Sequence, residues 1–198
     1  MRNLKNIWLM LFLLVCTFNF VSAQISGKVN TEENRIKYKE NTVVYIENAK
    51  GTFNPPSKNV VMNQKNLVFI PHVLPVVAGT TVDFLNSDDV LHNVFSPDKC
   101  CKFDLGTYAK GVSKSQKFDK AGSQAVLLCN VHPEMEAYVV VLQNPYFALT
   151  DKEGNFKIEN VPAGNYTLKV WNEKLRGTDQ SITVPSSGKL VVSFDLIK

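Results

Sequence analysis

The chain has 198 residues, 44% of them apolar, with 22 basic and 18 acidic residues and a formal net charge of +4. That length suits one large or two small domains. So mild a charge argues against a nucleic acid or an anionic membrane surface as partner, since either calls for a concentrated basic footprint.

In chain order, Arg2 and Lys5 precede a short apolar run, IWLMLFLLV (7–15), and the small residues Ser22 and Ala23 precede Gln24. This is the layout of a signal peptide over residues 1–23, with an apolar run too short for a membrane span. A lipoprotein signal at Cys16 is the rival reading, but bulky Val15 stands where a small residue is wanted. Cleavage before Gln24 leaves 20 basic and 18 acidic residues. No nucleic-acid partner and no transmembrane segment are then expected, and the location is periplasmic or secreted.

Almost every later segment reads as strand. NTVVYIEN (41–48), TTVDFLN (80–86), QAVLLC (124–129) and AYVVVL (137–142) are short and rich in Val, Tyr and Phe. Turn-forming clusters such as NPPSKN (54–59) and DKAGS (119–123) lie between them. A short helix is allowed only inside 103–113. Composition shifts at QNPY (143–146), and the following stretch carries turn chemistry at Glu153-Gly154 and Pro162-Ala163-Gly164. There Tyr166, Leu168 and Val170 alternate with Thr167 and Lys169, and Leu190, Val192, Phe194 and Leu196 alternate with Val191, Ser193 and Asp195. Period-two alternation predicts an all-β protein of antiparallel sandwiches, each sheet buried on one face.

Cys16 leaves with the leader, so Cys100, Cys101 and Cys129 remain. An odd count in an exported chain leaves one thiol over. Cys129, His132 and Met135 stand three residues apart in LLCNVHPEMEAYVVV (127–141), in a tight loop between two apolar strands. A short loop held at both ends can present all three side chains to one point. A fourth ligand must come from elsewhere, and only His72 and His92 are available. His92, following the strand TTVDFL, is the better placed. Two imidazoles, a thiolate and a weak thioether are the donor set of a trigonal copper site with an axial Met. Taken singly, Cys129 also reads as a small buried hydrophobe, His132 as a turn residue and Met135 as core filling.

These residues carry a resemblance. Residues 58–143 resemble a cupredoxin, a Greek-key β-sandwich of the plastocyanin, pseudoazurin and amicyanin kind. The matching pieces are NLVFIPHVLPVVAGTTVDFLNSDDVLHNVFS (66–96), KFDKAGSQAVLLC (117–129) and HPEMEAYVVVL (132–142). The resemblance implies one type 1 copper ion held by His92, Cys129, His132 and Met135, with the backbone amide of Asn93 donating to the thiolate. It also implies redox partner proteins docking transiently near His132, on an apolar patch drawn from Val131, Pro133 and Pro97. ISGKV (25–29), NTVVYIE (41–47) and TDKEGNFKIENVPAGNYTLKV (150–170) resemble a carboxypeptidase-regulatory-like, or transthyretin-like, β-module. The expected organisation is therefore a copper domain at 58–143 inserted into a small module made of 24–50 and 144–198. A continuous copper domain followed by a C-terminal sandwich is the alternative. The whole is similar to secreted plastocyanin-like proteins of the methylamine-utilisation type.

Neighbouring cysteines have Cα atoms about 3.8 Å apart, below the usual ~4.4–6.8 Å of a disulfide. A Cys100–Cys101 bridge would be strained, and free or intermolecularly paired thiols stay equally open. Zinc held by Cys100, Cys101, Cys129 and His132 would leave His92 and Met135 unused and needs three thiolates in an oxidising compartment. Glu134 is an alternative axial donor to Met135. His72 reads as a surface or edge residue, and Asp88-Asp89 as a polar turn. With no nucleophile–base pair, and three histidines in all, no enzymatic activity is expected. The function implied is single-electron transfer. A secreted β-sandwich binding module and a copper carrier are the alternatives.

Overall fold

The computed structural model describes residues 23–198, and the leader expected over 1–23 lies outside them apart from Ala23. The described chain opens with β1 (Ala23–Thr31), short 3-10 turns over Glu33–Tyr38, and β2 (Val43–Ile46). Nine strands follow: β3 (Val60–Lys65), β4 (Val68–Ile70), β5 (Val73–Val77), β6 (Thr80–Asn86), β7 (His92–Ser96), β8 (Phe103–Tyr108), β9 (Ser113–Phe118), β10 (Ser123–Leu128) and β11 (Glu136–Leu142). The last five are β12 (Phe147–Leu149), β13 (Asn155–Val161), β14 (Gly164–Trp171), β15 (Gln180–Val184) and β16 (Gly188–Leu196). The Val-, Tyr- and Phe-rich runs become strands because branched and aromatic side chains fit a pleated, half-buried surface.

Strands β3 to β11 form two sheets, of order β4-β3-β6-β9 and β5-β11-β10-β7-β8. In β6 the alternation turns Thr80, Val82, Phe84 and Asn86 inward. Val82 and Phe84 pack with Met62, Phe118, Leu127 and Val139 into one core. The remaining strands make the sheets β13-β1-β16 and β12-β2-β14-β15. These close over a second core that includes Ile25, Ile46, Phe156, Leu168 and Phe194. Strands from the two ends of the described chain therefore share sheets: Ile25 lies between Ile158 and Leu190, and Val44 opposes Val170.

The all-β architecture matches the periodicity, with three differences. The pairs β1/β16, β3/β6 and β5/β11 are parallel, so the sheets are mixed and not purely antiparallel. No helix forms inside 103–113, because Phe103 and Leu105 reach the first core with period two as β8 turns into β9. Strand β11 is buried on both faces. Val139 and Val141 enter the first core, while Val140 and Leu142 join Val43 and Val73 in a third cluster with Phe147 and Trp171 packed against it. A strand covered on both sides reads as a continuous apolar run, which is why YVVVL shows no alternation.

Gly27 sits mid-strand in β1, opposite Phe156 on one side and Val192 on the other. A Cβ there would collide with the carbonyl oxygen of Val192, and strands have little room to separate without losing ladder hydrogen bonds. Gly27→Ala is expected to cost about 1–3 kcal/mol or more through overpacking. Urea unfolding of the variant beside wild type measures this.

Candidate metal centre

Strand β7 begins at His92, and β10 ends one residue before Cys129. Strands β10 and β11 pair from Ser123↔Val141 to Leu128↔Glu136, so the ladder holds both ends of the loop 129–135. Inside that loop the Met135 amide donates to the His132 carbonyl at 3.0 Å, tightening its last turn. Because β7 pairs with β10 in the same sheet, with Leu128 opposite Phe95, strand pairing brings His92 beside the loop.

The donor atoms of His92, Cys129 and His132 all lie within 4.8 Å of one another. His92 Nδ1 is 4.0 Å from Cys129 Sγ and 3.1 Å from His132 Nδ1. Metal bonds of about 2.0–2.1 Å to nitrogen and 2.3 Å to sulfur place neighbouring ligands roughly 3–4 Å apart, so the spacing fits a shared cation. His92 is fully buried and Cys129 is 3% exposed, while His132 is half-buried. Met135 is buried in the same apolar cluster as Cys129. The residues present thus fit a soft, thiolate-preferring metal such as copper.

Asn93 ties the centre together. Its backbone amide points at Cys129 Sγ from 3.5 Å, its Oδ1 accepts from the Asn130 amide at 3.0 Å, and its Nδ2 donates to Asp104 Oδ1 at 2.7 Å. Behind it, Tyr108 donates to Gln64 Oε1 at 2.7 Å. Burial, followed by the nearby Cys129, pushes the Tyr108 phenol well above its ordinary pKa. Asn86 donates to the Val90 and Tyr108 carbonyls at 2.9 and 3.1 Å, pinning the segment that leads into His92.

Asp88 is the contact that residue spacing did not reveal. Its Oδ2 lies 2.8 Å from His92 Nε2 and accepts from the Leu67 amide at 3.0 Å, while Oδ1 accepts from the Asn66 amide at 2.7 Å. Burial raises the carboxyl's pKa, but hydrogen bonds from Leu67, His92 and Asn66 outweigh it and hold the group at about 2. The Asp-x-x-x-His spacing was the available signal, yet two adjacent aspartates also suit an exposed turn. Asp89 takes that second role, 89% exposed and paired with Lys110.

Other sequence candidates lie elsewhere. Cys100 and Cys101 are joined as a disulfide and sit beside the start of β10, where Cys100 Sγ approaches the Gln124 carbonyl. Gln124 is five residues up the strand from Cys129, about 16 Å at the strand rise. The zinc set of Cys100, Cys101, Cys129 and His132 is thereby excluded. Pro97 follows the far end of β7, about 16 Å along the strand from His92, so it cannot line a patch around His132. Glu134 is exposed while Met135 is buried, which favours the thioether over the carboxylate as the inward donor. His72 lies next to edge strand β5, with its Nδ1 3.2 Å from the Glu136 carbonyl and its Nε2 3.2 Å from Glu173 Oε2.

No curated protein sequence matches the chain. The family described as polysaccharide lyase family 4, domain II, matches residues 120–191. It is neither of the two families the sequence resembles. Among solved structures the chain is similar to a copper-containing nitrite reductase from Thermus scotoductus SA-01, at 26% identity and a TM-score of 0.41, over 48% of this chain and 25% of that one. It is similar to a purple cupredoxin from Nitrosopumilus maritimus, at 24% identity and a TM-score of 0.38, over 42% of this chain and 99% of that one. It is also similar to amicyanin from Paracoccus versutus, at 21% identity and a TM-score of 0.39, over 50% and 96%.

The Asn93 side chain joins the ligand loop to β8. Asn93→Ala is expected to lower the stability of the metal-free protein by about 1–3 kcal/mol, since the Asn130 amide loses its acceptor. Thermal unfolding, with faster hydrogen exchange at the Asn130 amide, checks this.

Proposed function

We propose that the chain is a type 1 copper protein that carries single electrons between redox partner proteins in the periplasm or outside the cell. The observation supporting this is the convergence of two imidazole Nδ1 atoms and one buried thiol within 4.8 Å, at the ends of strands that leave them little freedom. In this reading His92, Cys129 and His132 hold the ion and Met135 is its weak axial donor. A bound copper supplies a one-electron couple, which soft thiolate and imidazole ligands favour. Cys129 gives up its proton to bind, and the Asn93 amide orients toward the sulfur. The ladders of β10 and β11 resist movement of the loop, so the ligands need little rearrangement when the ion's charge changes.

His132 is the ligand nearest solvent, between exposed Val131 and Pro133. Exposed Leu67, Val90 and Leu91 lie on the Asp88–His92 side of the same end. This apolar rim suits brief docking of a partner that exchanges one electron through the His132 imidazole. No substrate turnover is assigned to the chain. Export rests on the leader expected at 1–23. Among the described residues no helix is long and apolar enough to cross a membrane.

The sheet memberships support a further part of this reading, that the copper sandwich at 58–143 is inserted in a module made of 24–50 and 144–198. Strands β1 and β2 pair with β12, β13, β14 and β16.

Visible and EPR spectra of protein from Gln24 onward, loaded with Cu(II), test the copper reading beside Cys129→Ser. An intense blue band with narrow hyperfine splitting, lost in the variant, is expected. Copper bound without the band would favour a carrier, and no stoichiometric copper would leave a β-sandwich binding protein. For the inserted arrangement, the fragment 24–143 is expected to unfold at a lower temperature than the whole, because β1 and β2 lose every strand they pair with. Equal thermal stability and equal copper retention would refute the insertion.

A further inference from the structure

We propose that Asp88 is the positioning residue for the His92 imidazole, and that its carboxylate biases the centre toward the oxidised cation, Cu(II). The inference rests on the copper reading above and adds to it a residue that sets the site's preference between oxidation states.

His92 is fully buried, and its two ring nitrogens face different groups. Nδ1 faces Cys129 Sγ and His132 Nδ1, while Nε2 lies 2.8 Å from Asp88 Oδ2. An ionised carboxylate only accepts hydrogen bonds, so Nε2 must carry the ring proton. Nδ1 then keeps its lone pair directed at the thiol and the second imidazole. One tautomer and one ring orientation are selected before any metal arrives.

Two backbone amides hold the carboxylate, and a third hydrogen bond holds the Asp88 backbone. The Asn66 amide donates to Oδ1 at 2.7 Å, the Leu67 amide donates to Oδ2 at 3.0 Å, and the Asp88 amide donates to Asn86 Oδ1 at 2.9 Å. Asn66 and Leu67 form the turn between β3 and β4 with φ of 58° and 61°. Two consecutive left-handed residues are uncommon outside glycine, and here that conformation aims both amides at one acceptor. The Asp88 side chain is 13% exposed, so its charge is only partly screened. A fixed negative charge one hydrogen bond from a ligand makes that imidazole more basic and stabilises a doubly charged ion more than a singly charged one.

The test uses Asp88→Asn and Asp88→Ala in the full chain. Nitrogen-15 NMR of the metal-free wild type is expected to show the Nε2–H tautomer of His92, and Asp88→Ala to shift toward Nδ1–H. Copper competition is expected to show Cu(II) affinity lower by about 10–100-fold in Asp88→Asn, with Cu(I) affinity nearly unchanged. Each tenfold selective loss of Cu(II) raises the one-electron reduction potential by about 59 mV. An Nδ1–H tautomer in wild type, or an unchanged potential in folded Asp88→Asn, overturns the proposal. If Asp88→Ala does not fold, the near-isosteric Asn variant decides by its potential. Wild type that binds no copper defeats the copper reading separately, and the metal-free tautomer still decides the positioning role.

Discussion

A thiol and two imidazoles held together out of water lose hydration, and they stay together only where neighbouring groups fix them more firmly than solvent could. At this centre the fixing is done by strand ends. The ladder of β10 and β11 holds both ends of the loop that carries Cys129, His132 and Met135. The adjacent strand β7 delivers His92. A hairpin amide pair, a loop carboxylate and the Asn93 side chain then take up the remaining hydrogen-bonding groups around the imidazole and the loop. Loss of the pairing among β7, β10 and β11 would separate these side chains before any of them changed conformation.

The same constraint gives the rest of the chain a part in the site. Strand β11 begins one residue after Met135 and is packed between two cores, the first through Val139 and Val141 and the third cluster through Val140 and Leu142. Tyr138 lies 5.4 Å from Trp171 between ring centroids, and His72 pairs with Glu173, so contacts with the terminal strands line the outer face of β11. The end of the ligand loop is anchored on a strand with no free face. The terminal strands pack against β11 without contributing a donor atom to the cluster.

Polar and apolar groups divide the metal end of the sandwich between them. Beneath the surface, Asp88, Asn93, Gln64, Tyr108 and Asn86 form hydrogen bonds that order His92, the loop and the segment leading into it, with exposed Asp104 accepting from Asn93. At the surface, Leu67, Val90 and Leu91 are exposed near Asp88 and His92, and Val131 is exposed next to the half-buried His132. Buried polar networks of this kind hold a single arrangement when every member is satisfied, whereas scattered exposed apolar side chains allow contact without commitment.

Much was legible in the sequence because it depends on short-range chemistry. Residue type located β6, alternation located β14 and β16, the Glu153-Gly154 turn sits where Gly154 takes φ of 83°, and the three-residue spacing of Cys129, His132 and Met135 put them in one loop. What spacing could not settle was which distant groups meet that loop. The Asn66 and Leu67 amides on Asp88, the place of the Cys100–Cys101 bridge at the opposite end, Pro97 carried away down β7 and the two buried faces of β11 all depend on sheet order and strand direction. Three parallel pairs bring together strands that no local turn connects. The sequence by itself determined donor types and strand periodicity, because both are properties of neighbouring residues. Only the tertiary structure decided which amides and which strand faces complete the site, because strand pairing joins residues that chain distance keeps apart.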